Sequence, residues 1–586
     1  MYLKQTKNNK TGRVFLSMVQ SYRDKEKGHS RTKTIESFGY LDVLRKDFED
    51  PIAHFKEIVN QRNLEQQEEQ ASFSINTNRN QLLSLNAVNR KNYGYIIIMA
   101  VYYWLGLERF LINRQQRDTK IEYSSHTILK FLLISRILQP GSKKRAFDNK
   151  ARYFDFERDN IFALPDVYRC LTHISNYERE IQQLIYERIS KKYGRNLDFM
   201  YYDITNYYFE IDTEDELRKK GFSKENRKSP IVQMGLAMDT DGIPVSYELF
   251  PGNESEKLHL RPMVFKLRSK YGIGKVIAVA DSAQNTGNNI YYLDQGKQGY
   301  IFSQSIAGGS ASFKKYVTDE KGYVWEGDEF KKKSRVERRE INVDFERGNG
   351  TIYKKKVMVD QRQIVFYSEK YAARARTKRE AVIRKAQNIV ENPGAYTKAT
   401  SYGAMKYIKN IEVNEETGEF EKAKEIPYFD IERLREEEKY DGYYAIVTNL
   451  FEEGKEKERF TDEKIIDAYR GLWRIEDSFR ITKEDLETRP VYLSREERIR
   501  SHFMTCYISL VILRLIQKET DSKYSATKLI EAMNNISCSN EAENLFLFDY
   551  RSCVTDDLGK AFGIDFTKKR MTRKEIKKNL GSVKKN

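Results

Sequence analysis

The chain has 586 residues, more than one hydrophobic core usually organises, so two or more domains are expected. Lys and Arg total 103 against 86 Asp and Glu, and the net charge of +17 favours a polyanionic partner, nucleic acid ahead of an anionic membrane, over an acidic-patch receptor. The four cysteines, Cys170, Cys506, Cys538 and Cys553, are scattered, which argues against a disulfide framework or a zinc knuckle and fits a reducing cytoplasm.

Residues 2–41 read as short strands around a turn at 8–12, with alternation in Val14, Leu16 and Val19. Asp50 and Pro51 then open an amphipathic stretch that gives way to QRNLEQQEEQASFSINTNRNQ, too poor in large apolar residues to pack, so a linker is placed at 66–80. The most apolar run, 93–107, is about 15 residues long, short of the roughly 20 that cross a bilayer, and reads as a buried helix. The start, MYLKQTKNNK, has no signal-peptide core, so a cytoplasmic protein without a membrane partner is expected.

Residues 90–195 carry helical spacing with breaks at Pro140-Gly141 and Pro165, and hold the basic clusters Lys143, Lys144 and Arg145, then Lys150 and Arg152, beside Tyr153 and Phe154. A helical DNA-binding domain fits, and so does a helical bundle with a solvated charged face. The character changes at Leu197: LDFMYYDITNYYFEI and VQMGLAMDTDGIPVSYELF, with a turn at 239–242, predict strand, strand, turn, strand. KVIAVAD is apolar until Asp281, as a central strand buried on both faces would be. Between 300 and 450 strand spacing returns (REINVDF, IYKKKVMVD, RQIVFYS, YYAIVTN) around a helix-like stretch at 370–390, which reads as an insertion. Its cationic clusters, Lys331, Lys332 and Lys333, and Arg374, Arg376, Lys378 and Arg379, could line a nucleic-acid path.

Asp203 sits near the end of a predicted strand and Asp281 ends the apolar run 276–280. A carboxylate there is costly to desolvate unless a cation compensates it, and a divalent metal is the commonest large charge able to do so. For either acid alone, a turn former or helix cap is the alternative. A third acid comes from IIDAYRGLWRIEDSFRITKEDL, where Tyr469, Trp473, Glu476, Arg480 and Lys483 recur at spacings of 4, 3, 4 and 3 and form one helical stripe. Ile465, Ala468, Leu472, Ile475 and Phe479 form a second stripe about 80° away. Such a helix buries one face and presents Glu476 and Lys483 along its flank; a merely solvated flank is the alternative. Three carboxylates would repel one another without cations, whereas two Mg²⁺ ions about 4 Å apart would hold them and clamp the attacking and leaving oxygens of an in-line displacement. Oxygen ligands without a Cys/His cluster favour Mg²⁺ or Mn²⁺ over Zn²⁺.

These residues resemble the DDE transposases of bacterial insertion sequences, in particular the insertion-sequence-4-like superfamily with its Tyr-x2-Arg-x3-Glu-x6-Lys signature. Tyr469, Glu476 and Lys483 occupy that spacing; the arginine position is Leu472, with Arg470 and Arg474 two residues to either side. The resemblance extends to YYDITNYYFE, to VIAVADSAQNTGNNIYYL and to the intervening β-rich insertion, over about 197–515. It implies a ribonuclease H-like core with the first two acids on adjacent central strands and the glutamate on a later helix. Asp203, Asp281 and Glu476 would then be the catalytic metal ligands. Tyr469 and Lys483 would touch transposon-end phosphates, Lys483 as a compact point charge, with Arg470, Trp473, Arg474 and Arg480 as further DNA contacts. Trp325 in the insertion could stack on an extruded base, as an insertion aromatic does in related transposases, with core packing as the alternative.

Two features lie outside that set. Ser494 and Glu497 predict a capping box opening a long helix from 495 to 518, on which His502 is expected to be structural. The C-terminal 567–586 has nine Lys or Arg and one Glu and reads as a mobile basic tail.

The expected architecture is α/β: a ribonuclease H-like mixed-sheet core interrupted by a β-rich insertion, with helical N-terminal and C-terminal regions. The parts are 1–90 (hairpin, helix and linker), 91–195 (helical DNA-binding domain), 196–300 (core with both Asp), 301–455 (insertion), 456–520 (core with the Glu helix) and 521–586 (helical region and tail). The expected activity is metal-dependent cleavage at insertion-sequence ends and strand transfer into target DNA. Two Mg²⁺ per site, with Mn²⁺ as substitute, double-stranded DNA ends and target as partners, a homodimer in a synaptic complex and a nucleoid-associated bacterial location complete it. The rivals are a nuclease without strand transfer, a noncatalytic DNA-binding derivative, and a carboxylate-pair glycosidase, which leaves Lys483 and the insertion unexplained.

Overall fold

A computed structural model describes residues 1–586 apart from 10, 24–29, 72–79, 81, 83–84, 86–88, 118–119, 159–160, 222–228, 392–403, 405–406, 410–411, 414–419, 422–427, 452–459, 543 and 585–586. It divides into two units, 1–87 and 88–586.

In the first unit β1 (Tyr2–Lys7), β2 (Val14–Arg23) and β3 (Ser30–Tyr40) form an antiparallel meander. Val14, Leu16 and Val19 do not keep a strict period of two, and the β2–β3 register shifts between Met18 and Val19, which brings Val19 into the core with Leu16 and Met18. The Pro51–Ala71 helix closes that core with Phe55 and Val59, Phe55 stacked 4.2 Å from Phe38. The linker expected at 66–80 is thus corrected as far as Ala71: QRNLEQQEEQ is short of apolar residues but rich in strong helix formers. Residues 72–79 lie outside the described residues.

The second unit is built on β4 (Arg90–Asn92), β5 (Met200–Tyr208), β6 (Ile231–Met238), β7 (Pro244–Pro251), β8 (Ile277–Ala280), β9 (Gly299–Ser303), β10 (Val324–Glu326), β11 (Phe330–Glu346) and β12 (Ile352–Ser368). Two short pairs follow, β13 (Ile408–Lys409) with β16 (Tyr428–Phe429) and β14 (Glu412–Val413) with β15 (Phe420–Glu421), and then β17 (Tyr443–Thr448). One mixed nine-stranded sheet has the order β10-β11-β12-β17-β9-β8-β5-β6-β7. β5, β6 and β7 are antiparallel neighbours, whereas β8 runs parallel to both β5 and β9. The strands expected to form an insertion extend this same sheet through the antiparallel β9–β17 and β17–β12 pairs.

The sheet is covered on both faces. One side meets the Leu260–Tyr271 and Gly287–Gln295 helices around Tyr202, Ala278 and Ala280. The other runs into a large core shared with the Tyr95–Trp104, Ser125–Leu138 and Leu164–Ser175 helices, all packed against the long Glu496–Glu519 helix. That helix is apolar and long enough to cross a membrane by composition, yet its residues from Ile499 to Ile516 are almost all buried among these elements. Its N-cap is Arg495 with no side-chain cap bond, so the expected Ser494 capping box does not form. The run 93–107 is indeed a buried helix, Tyr95–Trp104, followed by a second one, Leu107–Gln115.

The basic C-terminal stretch is also corrected. β18 (Ser537–Ala542), β19 (Leu545–Phe548) and β20 (Arg570–Thr572) form a small sheet with β4, and a Thr572/Glu575 capping box then starts the Arg573–Ser582 helix. Ile576, Leu580 and Val583 are buried. Their spacing of 4 and 3 is a helical face, hidden in the sequence by the surrounding lysines. Ile576→Ala should therefore lower unfolding free energy by about 2–5 kcal/mol in urea titration; a solvated tail would leave the midpoint unmoved.

Candidate functional site

The parallel register pairs Met200 with Ala278 and Tyr201 with Val279. The ladder ends there; counted two residues further, the register matches Asp203 with Asp281, the residue just past the end of β8. Side chains alternate across each strand. Tyr202, Ala278 and Ala280 belong to one face, and Tyr201, Ile277 and Val279 to the other, so both aspartates fall on the second. On that same face lie Ile465, Ala468, Leu472, Ile475 and Phe479, the apolar stripe of the glutamate-bearing segment.

That segment is not the single helix expected. Asp462–Arg470 packs on β8 and β9, Trp473–Arg480 packs on β5, and Gly471-Leu472 joins them through tight bonds, Leu472 N–H to the Tyr469 carbonyl at 3.0 Å and Arg474 N–H to the Gly471 carbonyl at 3.1 Å. The cause is tertiary: the Tyr201 ring reaches up from β5 so that a Cβ on Gly471 would lie 2.0 Å from its hydroxyl. Beyond Arg480 the chain widens into a π-helical turn, Ile481–Asp485, which puts Lys483 out of phase with the stripe predicted for it.

Asp203 accepts its neighbour Ile204 N–H at 2.7 Å, and Asp281 caps the turn Ser282–Gln284 by accepting Ala283 N–H at 3.0 Å. Glu476 is exposed on the flank of its helix. Tyr469 connects them: burial raises its phenol above the usual value, its hydroxyl interacts with Ser303, and the Asp281 and Glu476 carboxylates add to the upward push. Among the described residues no three His, Cys, Asp or Glu side chains are already grouped closely enough to hold an ion. What meets on this face is backbone, with the mutually repelling carboxylates still apart. The donor set, three carboxylates and no thiol or imidazole, suits a hard divalent cation.

The other expected DNA contacts are dispersed. Arg470 is exposed, 3.3 Å from Asp467 and over the Phe330 ring. Trp473 is 57% exposed, with Arg474 over its ring. Arg480 is engaged by Asp477, Glu484 and Asp485. Lys483 stands 5.8 Å from the Tyr207 ring centre. Trp325, at 51% exposure, is not a core residue; it lies on β10 opposite Lys331. The Lys331, Lys332 and Lys333 cluster is no open cationic path, because all three are buried and bonded to Glu320, to Glu326 and Glu463, and to the Asp319 carbonyl respectively. His502 is buried, held neutral by burial and the nearby Lys143 and Arg136 charges, with a ring nitrogen 3.0 Å from the Thr488 carbonyl.

Sequence reading missed Tyr201, Ser303 and Arg514. Arg514 crosses from the Glu496–Glu519 helix to Asp477 at 3.0 Å, the Ser478 hydroxyl at 2.6 Å and the Arg474 carbonyl at 3.2 Å, and so ties down the helix that carries Glu476. A single charged residue in the otherwise uncharged run 503–517 was the available signal.

Two family models match the chain, the IS1634 family transposase N-terminal domain over residues 3–72 and the transposase DDE domain over 209–512, just over half of the chain. Asp281 and Glu476 fall inside the second match, and Asp203 lies before it. A putative transposase for the insertion sequence element IS4SA of Synechocystis sp. is 36% identical over 73 residues, 12% of this chain. The chain spans 22% of that relative's length. Among solved structures, the cryo-EM structure of the piggyBac transposase synaptic complex with hairpin DNA aligns over 84% of each chain at 8% identity and a TM-score of 0.32.

Gly471→Ala should cost about 1–3 kcal/mol in urea unfolding because the added methyl overpacks the Tyr201 contact. Tyr201→Phe in the same chain should recover part of that loss in a double-mutant cycle. Simple additivity would show that the ring does not set the break.

Proposed function

The chain belongs to the DDE transposase family, and we propose that it cuts DNA at insertion-sequence ends and joins the freed ends to target DNA. The observation that supports this reading is the β5–β8 register, which, counted on past its paired residues, matches Asp203 with Asp281 toward the sheet face where the glutamate-bearing helix packs. Two acids on adjacent strands and a glutamate on a later helix support a ribonuclease H-like core. The Tyr469, Glu476 and Lys483 spacing supports the insertion-sequence-4-like branch.

DDE transposase domains use divalent metal ions. Asp203, Asp281 and Glu476 would hold two Mg²⁺, replaceable by Mn²⁺, which supply a polarised phosphodiester and an activated water or 3′-hydroxyl when bound. The chain's own residues do the positioning. Tyr201 and Arg514 fix the helix that presents Glu476, Tyr469 keeps a protonated hydroxyl beside Asp281 and Glu476, and Arg480 locks the turn that offers Lys483 to a phosphate oxygen. Arg470, Trp473 and Arg474 are the exposed or half-exposed contacts for the duplex, and Trp325 offers a ring to an unstacked base. Double-stranded ends and target DNA are the partners, a dimer pairs two ends, and the work takes place at the bacterial nucleoid. Strand transfer into plasmid DNA separates this reading from a nuclease that only cuts.

With a labelled duplex carrying the ends of the element that encodes the chain, Asp203→Asn, Asp281→Asn and Glu476→Gln should each reduce Mg²⁺-dependent cleavage by about 10²–10⁴-fold, the several kcal/mol of charge stabilisation a bound metal supplies. Duplex binding should persist. A chelator should abolish cutting, and Mg²⁺ or Mn²⁺ should restore it. Cleavage at the wild-type rate by all three variants would remove the mechanism.

A further inference from the structure

We propose that the second unit contains a phosphate-binding groove apart from the acidic face, formed where the Ser125–Leu138 and Lys143–Asp148 helices meet segment 486–493, and that it grips a backbone phosphate of DNA. The inference rests on the transposase reading above.

Two adjoining clefts of about 410 and 370 Å³ share Arg145 and Glu487. Among the described residues their walls carry Arg136, Lys143, Arg145, Arg152 and Arg489 against one carboxylate, Glu487. Lys143 is the decisive member. It lines the cleft at only 6% exposure, and among the described residues it has neither hydrogen bond nor ion pair. Burial and the neighbouring Arg136 charge push its ammonium down to about 7. A buried amine with no counter-charge is destabilising, and an anion entering the groove would supply what is missing.

Arg136 donates to the Leu486, Glu487 and Gly141 carbonyls at 3.0, 3.1 and 3.1 Å, so its charge is hydrogen-bonded but not neutralised. Arg145 and Arg152 have no ion pair among the described residues. Lys331 and Lys332, by contrast, are balanced by internal acids, and Lys333 donates to the Asp319 carbonyl. Surplus cation is therefore concentrated here.

Placement favours a DNA strand over a small anion. The groove is elongated across two open clefts, and Tyr492 stands 65% exposed on its wall. The segment that forms its wall meets the end of β5, where Val491 N–H donates to the Tyr208 carbonyl at 3.3 Å and Val491 bridges to Phe209. At about 3.3 Å per residue, Tyr208 is roughly 17 Å along the strand from Asp203, within the ~34 Å of one duplex turn.

The test uses the full chain and a fluorescein-labelled duplex of about four helical turns, read by anisotropy over a salt series. Each phosphate contact contributes a slope of about 0.9 in log K against log salt, so Lys143→Met and Arg152→Gln should each lose about eightfold affinity at ~0.1 M salt and flatten the slope by about 0.9. Lys143→Arg should bind as wild type, and Arg152→Gln keeps the test open should Lys143→Met fail to fold. Wild-type affinity and slope in both charge-removing variants would overturn the groove, and if Asp281→Asn still abolished cutting the transposase reading would stand alone. A wild-type chain that bound no duplex would overturn both. Amine acetylation of Lys143, followed by mass spectrometry, identifies the source of the phosphate: protection by duplex supports the proposal, and equal protection by the same concentration of inorganic phosphate alone overturns it.

Discussion

The parallel pairing of β5 with β8 is the constraint on which the rest of the site depends. Because side chains alternate along both strands, the register that joins Tyr201 to Val279, counted two residues on, directs Asp203 and Asp281 to the same face. A slip of one residue in either strand would turn one aspartate toward the Leu260–Tyr271 side and separate the pair. Four buried residues, Ile277, Ala278, Val279 and Ala280, hold β8 in place from both faces, so a slip would expose apolar surface on each. The glutamate is fixed less directly: its helix docks through Ile475 and Phe479, is bent by the Tyr201 ring and is tied by Arg514.

The excess of positive charge is not spread evenly over the molecule. Three consecutive lysines on β11 are buried and satisfied by neighbouring elements, Lys331 and Lys332 by acids and Lys333 by the Asp319 carbonyl. Lys130, buried in the Ser125–Leu138 helix, likewise has Asp155 at 2.7 Å. Among the described residues Arg136, about one and two-thirds turns further along the same helix, is bonded only by carbonyls, and Lys143 after it has neither hydrogen bond nor ion pair. The electrostatic consequence follows from partners rather than from counts: a lysine matched inside the fold is structural, and one left unmatched in an open cleft awaits an anion.

Where local pattern and tertiary packing agree, the sequence was readable. KVIAVAD is β8 followed by Asp281, the turn at 239–242 joins β6 to β7, and the apolar stripe of Ile465, Ala468, Leu472, Ile475 and Phe479 packs on the sheet as its spacing required. Distant residues decided the rest. The break at Gly471 is made by Tyr201, far away in the chain, and no helical periodicity could report it. The tail was misread because its lysines outnumber Ile576, Leu580 and Val583, although those three suffice to dock a helix. Lys331, Lys332 and Lys333 read as lining a nucleic-acid path because the groups that bond them lie on other elements, Glu463 and the Asp319 carbonyl among them. Lys143 stood inside a cluster that read as a DNA-binding or a solvated charged face, and the fold encloses it.

The central claim, that carboxylates from β5, the end of β8 and a later helix share bound cations, is tested most directly by loading the protein with Fe²⁺ and generating hydroxyl radicals with peroxide and ascorbate. The account predicts backbone scission close to residues 203, 281 and 476 together, suppressed by excess Mg²⁺ and by Asp281→Asn. Scission at only one of the three positions, or cuts that Mg²⁺ does not suppress, would contradict it.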